Sequence, residues 1–127
     1  MEVKDLMIGD LVLYTEFGKN EFHRIEIVEP TRVWLNGCNT YIPDEFIEPI
    51  PITPEILEKN GFEKVLNLLV LLNKWENGAY PSMIFVEYNP TNYCLFINDM
   101  MLPKPVQYLH ELQHVLQLCG IEKDFVL

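Results

Sequence analysis

The stretch Pro105 to Gly120, PVQYLHELQHVLQLCG, limits the fold more than any other, because it is the most plainly helical segment of the chain. Pro105 suits a first helical position, where its missing N–H is no loss, and Gly120 suits the left-handed residue that ends a helix. Tyr108, Leu109, Leu112, Val115, Leu116 and Cys119 recur at three- and four-residue spacing, which gathers them on one helical face. That stripe has to be buried, and a sheet is the expected surface.

The same helix carries His110, Glu111 and His114, spelling H-E-L-Q-H. This matches the H-E-x-x-H signature of zinc metallopeptidases, in which two imidazoles one turn apart grip the metal and the glutamate activates its bound water. A helical wheel sets His110 and His114 nearly opposite the centre of the apolar stripe, which fits a zinc cleft and a solvated helix face equally. Catalytic zinc needs three protein ligands and an open position. After His114 the only further acids are Glu122 and Asp124, and His23, the one remaining histidine, lies far upstream. The longer metzincin pattern is also missing, since Leu116 and Leu118 occupy the interval. The expectation is therefore a helix face without a bound cofactor, with a zinc site on His110 and His114 and Glu111 as base kept as the alternative.

The first fifty residues read as β structure. Gly9-Asp10 leads into LVLY, EFGKN is turn chemistry, and FHRIEIVE supplies a second strand. TRVWL is a third, Asn36-Gly37 a hairpin signal, and TYI before Pro43 a fourth. Strands this short and close predict a small SH3-like barrel or curled meander. Large aromatics in short strands usually anchor packing, so the default for Trp34 is the core.

Next, Thr53 can cap a short helix, Pro54 fits its first position and Asn60-Gly61 stops it. Val65 to Trp75 fits either a helix or a strand buried on both faces, and the hairpin that follows favours strand. Glu76-Asn77-Gly78 reads as a turn, SMIFVEY and YCLFIND as strands, and NPTN as the loop between them. Ile121 can pack back on the last helical turn as in a Schellman cap. The predicted class is α+β: a β half over 1–50, then over 51–127 a connector helix, antiparallel strands and one C-terminal amphipathic helix. The 127 residues are one domain's worth of chain.

Charge narrows the function. A net charge of −10 and no basic run speak against direct nucleic-acid binding through phosphates. Acids keep a small protein soluble; the sharper alternative is an acidic mimic of DNA. Cys38, Cys94 and Cys119 form no C-x-x-C pair, which fits reduced thiols in the cytosol, with Cys94 and Cys119 acting as small hydrophobes. The charged N-terminus and the lack of a long uncharged apolar run predict no membrane segment.

DLMIGDLV, IEPIPITPEILEKNGFEK and LPKPVQYLHELQHVLQLCGIEK, in this order, resemble a family of short proteins without established activity from Bacteroidetes chromosomes, integrated elements and phages. In that family the last helix often reads tyrosine, an aliphatic residue, histidine, glutamine, leucine, glutamine, asparagine. Gln then stands at the position of Glu111 and Asn at that of His114, and both zinc binding and a catalytic base are lost. The resemblance implies a structural or interaction role for Tyr108, His110 and Gln113, and strand for Val65 to Trp75. The functional expectation is a cytosolic interaction or accessory module with a protein partner. Its candidate surfaces are Trp34, Tyr41 and the polar face of the last helix, His110, Gln113 and Gln117.

Overall fold

Alternating strands and tight turns build the first part of the chain, as the sequence pattern requires. A computed structural model describes residues 1, 3–65, 68–71, 83–89, 92–97, 100–120 and 125–127. These divide into two compact units, Met1–Ile50 with Tyr108–Gln113, and Pro51–Gln107 with His114–Leu127. The class is α+β, with antiparallel sheets and one C-terminal helix.

In the first unit, β1 (Leu11–Tyr14), β2 (Glu21–Glu29), β3 (Arg32–Leu35) and β4 (Tyr41–Pro43) form an antiparallel meander. A two-residue β5 (Ile47–Glu48) returns to β1, giving the order β4-β3-β2-β1-β5. With β4 and β5 at opposite ends of that order, the described ladders form an open sheet, not a closed barrel. Val12, Tyr14, Ile25, Val33, Leu35, Ile42 and Ile47 form the core together with Val3 and Leu6. Val33 and Leu35 alternate with Trp34, as the period of two in a strand demands. Trp34 is therefore only half-buried, and the default core placement is corrected: register, not side-chain size, decides its face. Gly37 takes φ +87°, but the β3–β4 connection runs over residues 36–40, longer than a two-residue hairpin.

In the second unit, α1 (Pro54–Lys59) follows its local signals. The Thr53 hydroxyl accepts from the Ile56 N–H at 3.2 Å, Pro54 opens the helix and Gly61 leaves it at φ +94°. Buried Asn60 donates from Nδ2 to the carbonyls of Ile56 and Val126, at 2.7 and 2.9 Å, and accepts from the Val126 N–H at 2.8 Å. Its side chain is thereby satisfied at three points, as a buried amide must be. Strands β6 (Phe62–Val65), β7 (Leu68–Leu71), β8 (Met83–Asn89), β9 (Asn92–Ile97) and β10 (Met100–Met101) form a second antiparallel sheet in sequence order. Phe62, Phe85 and Tyr93 pack edge to face inside it. The described part of Val65 to Trp75 is strand. Residues 66–67 and 72–75, the expected turn at 76–78, Pro90-Thr91 of the NPTN loop and the Ile121 cap lie outside the described residues.

The terminal helix α2 spans Leu109–Leu118, so the helical start predicted at Pro105 is corrected. Val106 instead bridges Tyr93, with N–H to carbonyl bonds of 2.8 Å in both directions, and a residue so bonded in a ladder cannot enter a helix. Leu109, Leu112 and Leu116 are buried as predicted, whereas Cys119 is exposed and not on the buried face, because it lies beyond the last helical residue. No described helix is long and apolar enough to cross a membrane.

Candidate functional site

The first turn of α2 explains the glutamate of H-E-L-Q-H. With the helix beginning at Leu109, Tyr108 is the N-cap and Glu111 the third helical residue. From there the Glu111 carboxylate reaches back, and Oε1 accepts from the Tyr108 N–H at 2.8 Å. This is the glutamate half of a capping box: it satisfies an orphan donor and sets an anion at the positive end of the helix macrodipole. His110 is only 4% exposed and lies parallel to the Tyr108 ring, with centroids 5.9 Å apart and 11° between planes. Its expected place on the open helix face is corrected. The Tyr108 ring beside it is one neighbour that a helical wheel, which describes a single isolated helix, does not show. His114 is half-buried and belongs to the second unit. Among the described residues, no group of three or more His, Cys, Asp or Glu is arranged to hold a metal ion.

Gln113 bonds to backbone within the first unit. Its Oε1 accepts from the Leu11 N–H at 2.9 Å and its Nε2 donates to the Gly9 carbonyl at 3.2 Å. The two-residue β5 pairs only with Leu13 and Tyr14 of β1. Beyond its reach, the Gln113 amide supplies the donor and acceptor that another strand residue would offer. The Gly9 carbonyl also accepts from Arg24 Nη1 at 2.9 Å, and the Gly9 N–H donates to the Ile25 carbonyl at 2.8 Å. Gly9 sits at φ +94°, a conformation open to glycine and costly for side chains with a Cβ. Buried Asp10 accepts the Met7 N–H at 2.8 Å on Oδ2 and closes the turn. Gln117 is exposed.

The outer face of β2, β3 and β4 has different chemistry. Trp34 pairs across the ladder with Tyr41 on one side and Ile27 on the other. The Trp34 and Tyr41 rings meet edge to face, 5.1 Å apart and 89° inclined, and Ile27 is 42% exposed. The Arg32 guanidinium carbon lies 3.9 Å from the centroid of the Tyr41 ring, while Arg32 Nε donates to Glu29 Oε1 at 2.8 Å. A hydrogen bond from the Tyr41 hydroxyl, and then the bond from Arg32, hold the Glu29 carboxyl below the usual carboxylate range. The bond to Glu29 in turn raises the Tyr41 phenol. Carboxylate, guanidinium and two aromatic rings thus form one surface cluster, of which Trp34 and Tyr41 were readable in the sequence and Glu29 and Arg32 were not.

A second cluster also has no sequence signal. Buried Tyr14 donates to Glu16, and this bond, ahead of burial, pushes its phenol up to about 12. Beside it, the two His23 ring nitrogens face the Asn36 carbonyl at 2.8 Å and the Glu21 carboxylate at 3.0 Å. Lys19 stands 5.8 Å from the Tyr14 ring centroid. Comparison of the chain with protein-family models, curated proteins and solved structures returns no match.

Proposed function

We propose that the chain is an interaction or accessory module with no catalytic site, working in the cytosol with a protein partner. The observation that carries this reading is the use made of the helix motif: Glu111 caps its own helix and His110 is enclosed against Tyr108. A general base needs a carboxylate that reaches a metal-bound water, and this one is bonded to a backbone N–H. Gln at position 111 keeps the same cap, since a capping box accepts either residue. The cap thus gives the resemblance to the Bacteroidetes and phage family a physical sense, because that family's Gln preserves the helix start.

The first unit is read as SH3-like. The order β4-β3-β2-β1-β5, the register shift in β2 between Ile25 and Ile27, and the 3-10 turn Asp44–Phe46 before β5 support this topology. Such folds host many functions, so the surface chemistry carries the argument.

Capture from a Bacteroidetes lysate with a photo-cross-linker at Trp34, against a control cross-linker at Gln117, tests the reading. A discrete cross-linked protein is expected, and none over a range of salt counts against a stable partner. Elemental mass spectrometry on protein purified without chelator tests the zinc alternative. Near-stoichiometric zinc that disappears in His114→Ala, with hydrolysis lost in Glu111→Gln, would replace the module with a hydrolase. The DNA-mimic alternative predicts that the chain competes with duplex DNA for a DNA-binding protein.

A further inference from the structure

Trp34, Tyr41 and Ile27 lie on the side of the sheet away from Val33, Leu35 and Ile42, so their apolar area does not stabilise the core of the first unit. The cluster already shows which chemistry it accepts. A guanidinium rests 3.9 Å from the Tyr41 ring centroid and is bonded to the Glu29 carboxylate, yet the Arg32 side chain remains 51% exposed. An aromatic face beside a carboxylate attracts a cation through the ring quadrupole and through charge together. Arg32 occupies the Tyr41 part of this arrangement. Among the described residues no cation lies over Trp34, the ring type that binds cations best. Exposed Glu26 stands on the same strand as Glu29, and the whole chain carries a net charge of −10, which steers cationic segments toward it.

We propose that the outer face of β2–β4 is the docking surface for a basic, arginine-bearing segment of a partner protein. One guanidinium of the segment stacks on Trp34, its aliphatic stem covers Ile27, and Glu29 balances the charge. Arg32 is the resident cation with which that guanidinium competes. The inference rests on the interaction-module reading and adds the surface and the partner's chemistry to it.

The test is an NMR titration of the full chain with the capped peptide Arg-Gly-Arg-Gly-Arg, using Glu-Gly-Glu-Gly-Glu as control. The Trp34 indole N–H, assigned by its loss in Trp34→Leu, is expected to shift saturably with the arginine peptide only. Trp34→Leu keeps apolar volume without the ring and should weaken binding about tenfold or more, the loss typical of a central aromatic anchor. Arg32→Ala should tighten it about two- to fivefold, the equivalent of one exposed cation–π contact. Shifts spread over surface acids without saturation at Trp34, an unchanged Kd in Trp34→Leu, or weaker binding by Arg32→Ala would each overturn the assignment. A captured partner whose footprint lies on another face also overturns it, while leaving the module reading intact.

Discussion

Two regions of this molecule exchange the places that their sequences suggest. H-E-L-Q-H looks like a displayed, chemically active helix face, yet His110 is enclosed and Glu111 caps its own helix. Trp34 looks like a core anchor and stands half-open beside Tyr41, Arg32 and Glu29. Polar residues in the first region hold backbone together, and aromatic residues in the second face outward. Residue type alone therefore does not assign a role. What a side chain bonds to, and which face its register gives it, decides.

The contrast breaks most visibly under core substitution. Leu112→Ala or Leu116→Ala, at positions 0% and 2% exposed, should each destabilise by about 2–5 kcal/mol in chemical denaturation. Unchanged midpoints would mean that α2 is displayed after all. Gln113→Ala comes next: it leaves the Leu11 N–H without its side-chain acceptor and should cost about 1–3 kcal/mol. Hydrogen exchange at Leu11 should rise in that variant, and unchanged protection there would contradict the role assigned to the amide. Glu111→Ala should cost about 0.5–2 kcal/mol by removing a cap, with Glu111→Gln close to the parent. Equal losses in the two variants would show that charge, not the backbone bond, gives Glu111 its role.

Legibility follows the range of the interaction. Thr53-Pro54 and Asn60-Gly61 mark both ends of α1 because capping is local chemistry. Pro105 misplaces the start of α2 because Val106 is bonded to Tyr93, a partner that no local pattern reveals. Gln113 lies 102 residues from Leu11, and only the folded chain shows that its amide completes the edge of β1. That contact joins DLMIGDLV to YLHELQH: Gly9 and Gln113 meet within one unit. Trp34 was readable, since the alternation of Arg32-Val33-Trp34-Leu35 sets it opposite Val33 and Leu35. Its size alone points the other way, to the core. Glu29 and Arg32 gave no signal, because an ordinary charged pair beside a turn has none.

The smallest expected effect sharpens the contrast most, because it concerns the outward cluster alone. The Tyr41 hydroxyl, and then Arg32, hold the Glu29 carboxyl below its ordinary range. A carboxylate with a depressed folded-state pKa contributes stability that is present above its unfolded value, about 4.3, and is lost as pH falls through the folded one. The parent should therefore melt slightly above Glu29→Gln at pH 6, and the gap should close toward pH 3. Tyr41 has the opposite sign: its phenol is raised by the bond to Glu29, so its contribution holds below about pH 10 and fades above it. Calorimetric melts at pH 6 and pH 3 on the parent, Glu29→Gln and Glu111→Gln separate the two regions. A narrowing gap confined to Glu29→Gln means that the carboxylate, ring and guanidinium are assembled in solution in the chain by itself. A gap that stays constant with pH means that Glu29 is solvated, and the outward cluster then loses the preorganised charge that distinguishes it from an ordinary strand surface.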